Sequence, residues 1–175
     1  MSSVYDPASN ELIVFGGYSS GIPGDSDVWI LSNANGLGGT PAWIQQAPAG
    51  NPAGPHFDHS AIIDTTSDQM VVFGGSVSNG VQTSDTWVLT NANDAGGTPT
   101  WIQLAPTGTP PSSRDSHSAV HLSSSNRMLV FGGNHLTGYV VPGLNDLWSL
   151  SDTNNITSIT SLSPSSVIAG SGGTS

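Results

Sequence analysis

The sequence contains no lysine and no cysteine, and only Arg114 and Arg127 stand against twelve acidic residues, a net charge of -10. That balance excludes a nucleic-acid partner, because binding phosphate requires cations that displace its counterions. The same repulsion argues against an anionic membrane surface. Without cysteine there are no disulfides, thiolate metal sites or cysteine nucleophiles. Glu11 is the only glutamate, so the two neighbouring, non-repeated carboxylates that glycoside hydrolysis needs have no evident source. No apolar run approaches the ~20 residues of a membrane-spanning helix. The opening MSSVYDPASN lacks the basic region and apolar core of an export signal, so any such signal is expected upstream of it.

What is present is turn-forming. The chain has 22 Gly and 12 Pro, which punctuate it too often for long helices and suit short strands joined by turns. Hydrophobic residues still make up 35%, and five are Trp, enough to exclude disorder over the first 150 positions.

The sequence repeats itself. ELIVFGG, QMVVFGG and RMLVFGG place Phe15, Phe73 and Phe131 at intervals of 73−15 = 58 and 131−73 = 58. DVWIL, DTWVL and DLWSL follow from Asp27, Asp85 and Asp146, and TPAWIQQAP and TPTWIQLAP set Trp43 and Trp101 again 58 apart. HSAIID from His59 and HSAVHL from His117 open the second and third units, and MSSVYD aligns with them, with Met1 in place of the His. Each unit thus holds four runs of strand length, here A to D, separated by Gly, Asn, Asp and Pro. Runs A and B are almost wholly apolar, which implies cover on both faces. Four antiparallel strands at this period make one propeller blade; a β-sandwich is the structural rival, although sandwiches do not need their turns repeated to the residue.

The residues filling this pattern resemble the kelch repeat: a His-Ser opening, an apolar strand ending in Gly-Gly, Asp-x-Trp, then a second Trp. His59, Gly74, Gly75, Asp85, Trp87 and Trp101 fill every slot in the middle unit; the first unit lacks the His and the third lacks the last Trp. The resemblance implies an all-β chain, a β-propeller fragment of three four-stranded antiparallel kelch blades. Blade one covers about 1–48, blade two about 59–106 and blade three about 117–150, or to 164. ITSLSP from Ile159 can be laid on WIQLAP from Trp101 as a fourth strand. The preferred reading makes 151–175 a disordered linker or the start of an Ig-like module. NANGLGGTPAW also resembles repeats of large bacterial secreted or surface proteins, which implies an extracellular or cell-surface location.

Recurrence separates scaffold from function. Asp27, Asp85 and Asp146 recur and are assigned to structure, their carboxylates expected on turn N–H groups. His59 and His117 recur too, as blade-opening residues. His56-Phe57-Asp58-His59 has the look of a metal cluster, but Arg114 and Ser116 replace His56 and Asp58 in the next unit, so no metal is expected. Asn93-Asp94-Ala95-Gly96-Gly97-Thr98 reads as a C–D turn and not as a cation loop. What varies lies in the B–C loops (18–26, 76–84, 134–145) and the D–A loops. Kelch propellers tend to gather these on one face, which implies a binding site at Tyr18, His56, Phe57, Arg114, Asp115, His135 and Tyr139. The function expected is a binding scaffold for a protein or a carbohydrate, not an enzyme, with no cofactor. The alternative is a fragment of a kelch carbohydrate-active enzyme, oxidase or glycosidase, whose catalytic residues lie elsewhere. Three blades leave two apolar blade faces bare, at Trp29 and Trp148, so the chain is expected to form part of a larger ring in its parent protein, and alone either to self-associate as a homo-oligomer or to be only marginally stable.

Overall fold

The structure, a computed structural model, describes residues 1–19, 22–51, 53–136, 143–151 and 162–165. The first blade is formed by β1 (Ser2–Asp6), β2 (Glu11–Ser19), β3 (Ile22–Ser32) and β4 (Ala42–Gln46), hydrogen-bonded in that order. A two-residue strand, β5 (Ala49–Gly50), leads into the second blade: β6 (Ser60–Asp64), β7 (Gln69–Phe73), β10 (Thr86–Thr90) and β11 (Thr100–Leu104). The small hairpin β8 (Ser76–Val77) and β9 (Val81–Gln82) lies in its B–C loop, and β5 runs parallel to β11 along its outer edge. The third blade comprises β12 (Ser118–Leu122), β13 (Arg127–Phe131), β14 (Leu147–Ser151) and β15 (Leu162–Ser165). Each blade pairs its neighbouring strands antiparallel. The A strands of adjacent blades, β1 with β6 and β6 with β12, touch one another, so strand A is innermost.

The fourth strand of the third unit is not where the alignment from Ile159 puts it. Leu150 pairs with Leu162, as Leu89 pairs with Trp101 in the second blade, so Leu162 takes the tryptophan's place. The offset, 162−101 = 61, equals that of Trp148 from Trp87, because the longer B–C loop shifts everything after it. Of the 151–175 given to a linker or an Ig-like start, Leu162–Ser165 pairs with β14 as the fourth strand of blade three, while 152–161 and 166–175 lie outside the described residues.

The A–B turns close through a left-handed residue at the same place in every unit, Asn10, Asp68 and Asn126. Short polar Asn and Asp tolerate that conformation best among residues with a Cβ. Asp6 and Asp64 then fold their carboxylates onto the turn, accepting from the Ala8 and Thr66 N–H groups and from the Ser9 and Ser67 hydroxyls.

Period-two alternation sends one set of side chains from each strand toward each neighbouring blade. Between blades one and two, Val4, Ile13, Phe15, Val28 and Ile30 pack on Met70, Val72, Trp87, Leu89 and Trp101. Between blades two and three, Ile62, Val71, Phe73 and Val88 meet Met128, Val130, Leu150 and Trp148. Every residue of β7 is buried, since its blade is covered on both sides. The outer blades each keep one bare face. On blade one it carries Tyr5, Trp29 and Trp43, as expected. On blade three it carries Val120, Leu122 and Phe131, not Trp148, which points into the seam with blade two.

Candidate functional site

The Gly-Gly step after strand B brings the loops together at one end of the blades. Gly75 adopts φ +89°, and a Cβ there would stand 2.7 Å from both the His59 Cβ and the Phe57 carbonyl oxygen. Gly74, at φ +61°, leaves 3.0 Å to the ring of His117 from the next blade. One glycine therefore makes room for its own blade's opening residue and the other for its neighbour's.

In that room each D–A loop is stitched to two blades. The Gly17 N–H donates to the His56 carbonyl and the His56 N–H to the Asp25 carbonyl, while Phe57 exchanges both backbone bonds with Ser76. One unit later, Gly75 donates to Arg114, Arg114 to Thr83, and Asp115 exchanges both bonds with Asn134. Below this layer lie the ring contacts of Phe15 with His59, centroids 5.1 Å apart, and of Phe73 with His117, 5.4 Å. His59 Nε2 lies 2.7 Å from Ser2 Oγ, and His117 Nε2 lies 2.8 Å from Ser60 Oγ. Burial pushes the imidazole pKa down to about 3 in His59 and to about 4 in His117, with the Arg114 charge adding to the second.

The expected site residues divide into two groups. Arg114 is fully buried. Its guanidinium is bidentate on Asp146, 2.7 and 2.8 Å, and also donates to the Gly132 and Ser112 carbonyls and the Ser112 hydroxyl. It has nothing left to offer a ligand, and its assignment to the binding face is corrected: it locks the D–A loop to blade three. Asp146 accepts from Trp148 Nε1 as well, at 2.6 Å. Hydrogen bonds from Arg114, opposed by partial burial, hold its carboxyl down at about 2. Its carboxylate thus serves a seam, not the turn N–H groups expected for this position. His56, in Arg114's slot, is also buried, its Nδ1 3.0 Å from the Gly54 carbonyl, and is likewise removed from the face.

The rest remain accessible. Tyr18 is 65% exposed and its ring lies 5.2 Å from that of half-buried Phe57. Asp115 accepts from the Ser76 hydroxyl across the seam. His135 Nδ1 sits 2.6 Å from the Ser113 carbonyl oxygen, which the N–H tautomer satisfies. Tyr139 lies outside the described residues. Sequence reasoning missed Gln82, whose amide donates to the Asn134 carbonyl and accepts from the Leu136 N–H, coupling two B–C loops. No repeat signal marks it. Ser2 and Ser60 were also missed as partners, although the recurring His-Ser pair carried the signal. Among the described residues, no group of three or more His, Cys, Asp or Glu is placed to hold a metal ion.

Four-stranded antiparallel blades, Gly-Gly steps and a His–Ser contact across each seam define a kelch β-propeller. The chain belongs to the family described as the KLHDC2/KLHL20/DRC7 Kelch-repeats domain, which it matches over residues 2–172. It is similar to the Rho GTPase-activating protein gacHH of Dictyostelium discoideum, with 31% identity over 128 residues, 71% of this chain and 8% of that protein. Its fold is similar to the solved structure of YjhT, with a TM-score of 0.63 and 14% identity over 97% of this chain and 50% of YjhT. The chain thus spans half of that structure and a small part of gacHH.

Proposed function

We propose that the chain is a non-catalytic recognition module, binding a protein segment or a glycan on the face formed by its B–C and D–A loops. The observation that carries this is the Tyr18–Phe57 pair, an exposed ring braced by a second ring whose backbone is fixed to blade two. A rigid aromatic surface at a loop cluster supplies contact area at small entropic cost. Asp58 follows Phe57 in the chain, and Asp115 accepts from Ser76, whose backbone pairs with Phe57; aromatic faces flanked by carboxylates suit sugar rings as well as peptide side chains. A cell-surface or extracellular setting belongs to the same proposal and rests on the resemblance to secreted repeat proteins.

The test is a screen of peptide-display and glycan arrays with the wild-type chain, followed by Tyr18→Ala and His135→Ala. Hits that survive with the wild type and weaken at least about tenfold with Tyr18→Ala support the reading, the loss expected of an aromatic anchor. Hits indifferent to both variants place recognition elsewhere.

A further inference from the structure

We propose that blade two binds the guanidinium of an arginine side chain from a partner peptide, in the slot that Arg114 fills in blade three. This rests on the recognition reading above and names the partner's chemistry. Blade three supplies the template. Arg114 Nε donates to the Ser112 carbonyl, and its two terminal nitrogens donate to the Gly132 carbonyl and to both oxygens of Asp146. Asp146 also accepts from Trp148 Nε1. The repeat carries Ser112, Arg114, Gly132, Asp146 and Trp148 onto Gly54, His56, Gly74, Asp85 and Trp87.

Blade two reproduces only the near half of that network. His56 Nδ1, 3.0 Å from the Gly54 carbonyl, takes the part of Arg114 Nε on Ser112. The imidazole ends there, and no group of blade two corresponds to the terminal nitrogens. The atoms that would meet them are left over. His56 is 3% exposed and Trp87 6%, yet His56 Nε2 and Trp87 Nε1 are buried without a hydrogen-bond partner, an uncommon state for buried polar atoms. Asp85 is exposed and does not accept from Trp87, whereas Asp146 accepts from Trp148 at 2.6 Å.

The leftover set selects its ligand. Because a carbonyl only accepts, His56 Nδ1 carries the proton and Nε2 is an acceptor. With the Asp85 carboxylate and the Gly74 carbonyl it makes three acceptors, one of them anionic. They suit a cation with several donors, and a planar fork makes the bidentate contact that an ammonium does not. Closing on that fork, Asp85 would also take the Trp87 N–H, as Asp146 takes that of Trp148. The surroundings have the matching charge: Asp25 and Asp58 are exposed on the adjoining loops. The chain has no lysine, Arg114 is engaged by Asp146, and Arg127 lies at the opposite end of its blade, paired with Leu122 and Ser151. Neither buried atom meets solvent, so the loop beneath the recognition face must part to admit the side chain. Gly54, at φ +48° and with nothing within 4 Å of its Cβ position, gives the loop room to do so.

The test titrates three capped glycine pentapeptides that differ only in a central arginine, lysine or citrulline, and follows the indole N–H signals by NMR. Trp87→Phe identifies the signal to watch. The arginine peptide should shift the Trp87 N–H saturably, and citrulline, the same shape without the charge, should bind about tenfold more weakly or worse, as loss of a charge-assisted pair does. A Trp87 signal that never moves, or arginine matched by citrulline or by lysine, overturns the proposal. His56→Arg supplies the guanidinium from within, so it should raise the melting temperature and abolish the response to the arginine peptide. Asp85→Asn, at an exposed position, covers the case in which His56→Arg fails to fold. It should weaken arginine binding about tenfold with the melting temperature unchanged, and unaltered binding overturns the slot. Array hits that need Tyr18 but no arginine overturn the slot and leave the recognition reading standing. Arginine-dependent hits that ignore Tyr18 support the slot and move the rest of the recognition face.

Discussion

Ser60 Oγ and His117 Nε2, 57 residues apart in sequence, lie 2.8 Å apart across the seam between blades two and three, and Ser2 and His59 repeat the arrangement one blade earlier. Each His is buried against a Phe of the blade before it. The seam is therefore both an apolar contact and a polar registration point, and each element has a measurable consequence.

Stability should fall as the solution is acidified, starting near the ordinary histidine range. Folded His59 and His117 stay neutral down to about 3 and about 4, whereas in the unfolded chain they take up protons near 6.5. Between those values the unfolded state binds more protons, so stability is complete above about pH 6.5 and declines below it. Asp146, held at about 2 against an ordinary 3.8, adds a further loss below about pH 4. Urea midpoints from pH 7.5 to 4 measure this. A flat profile down to pH 4.5 would show that the two imidazoles are solvated, and His59→Gln with His117→Gln should flatten the upper part of the slope.

Removing the guanidinium of Arg114 should destabilise blade three without touching the binding face. Arg114→Met keeps much of the buried stem but leaves the Gly132 carbonyl and one face of Asp146 unpaired. Because Asp146 remains about a third exposed, the expected cost is about 1–3 kcal/mol rather than that of a fully buried pair. Chemical denaturation gives the value, and an equal loss in ligand binding at constant fold would return Arg114 to the recognition site.

Two glycines in the same left-handed region should respond differently to alanine. At Gly75 the added Cβ meets His59 and the Phe57 carbonyl at 2.7 Å; at Gly36, φ +75°, it meets nothing. Gly36→Ala carries only the conformational cost of about 1–2 kcal/mol, whereas Gly75→Ala adds a backbone clash and should cost well over that. Equal melting temperatures for the two would show that the loop stitching yields easily.

The blade order, the strand positions and the turns were legible because each is stated two or three times at a fixed spacing. Gly-Gly, Asn or Asp at the A–B turn, and alternating apolar residues report local backbone needs directly. The roles of individual polar residues were less legible, because a side chain's partner is set by the neighbouring blade. Arg114 reads in sequence as a lone exposed cation, yet its partner, Asp146, lies 32 residues on. The same applied to the third blade's fourth strand. With Leu162 in the tryptophan's place, the residue that would have fixed the register was missing, and only the pairing with Leu150 restores it.

The D–A loop, bonded to the blade behind and the blade ahead, also decides how such a chain can change length. Asp58 and Ser116 share the same left-handed backbone, φ +54° and +55°, immediately before the opening His. Joining Asp58 directly to His117 would delete 117−59 = 58 residues and present His117 to Ser2 as His59 is presented now. Every bond on the Gly17 side would keep its partner. The exchangeable unit is therefore not a sheet but a segment that begins at the histidine and crosses a seam, so blades can be lost or duplicated by recombination without inventing a new contact between them.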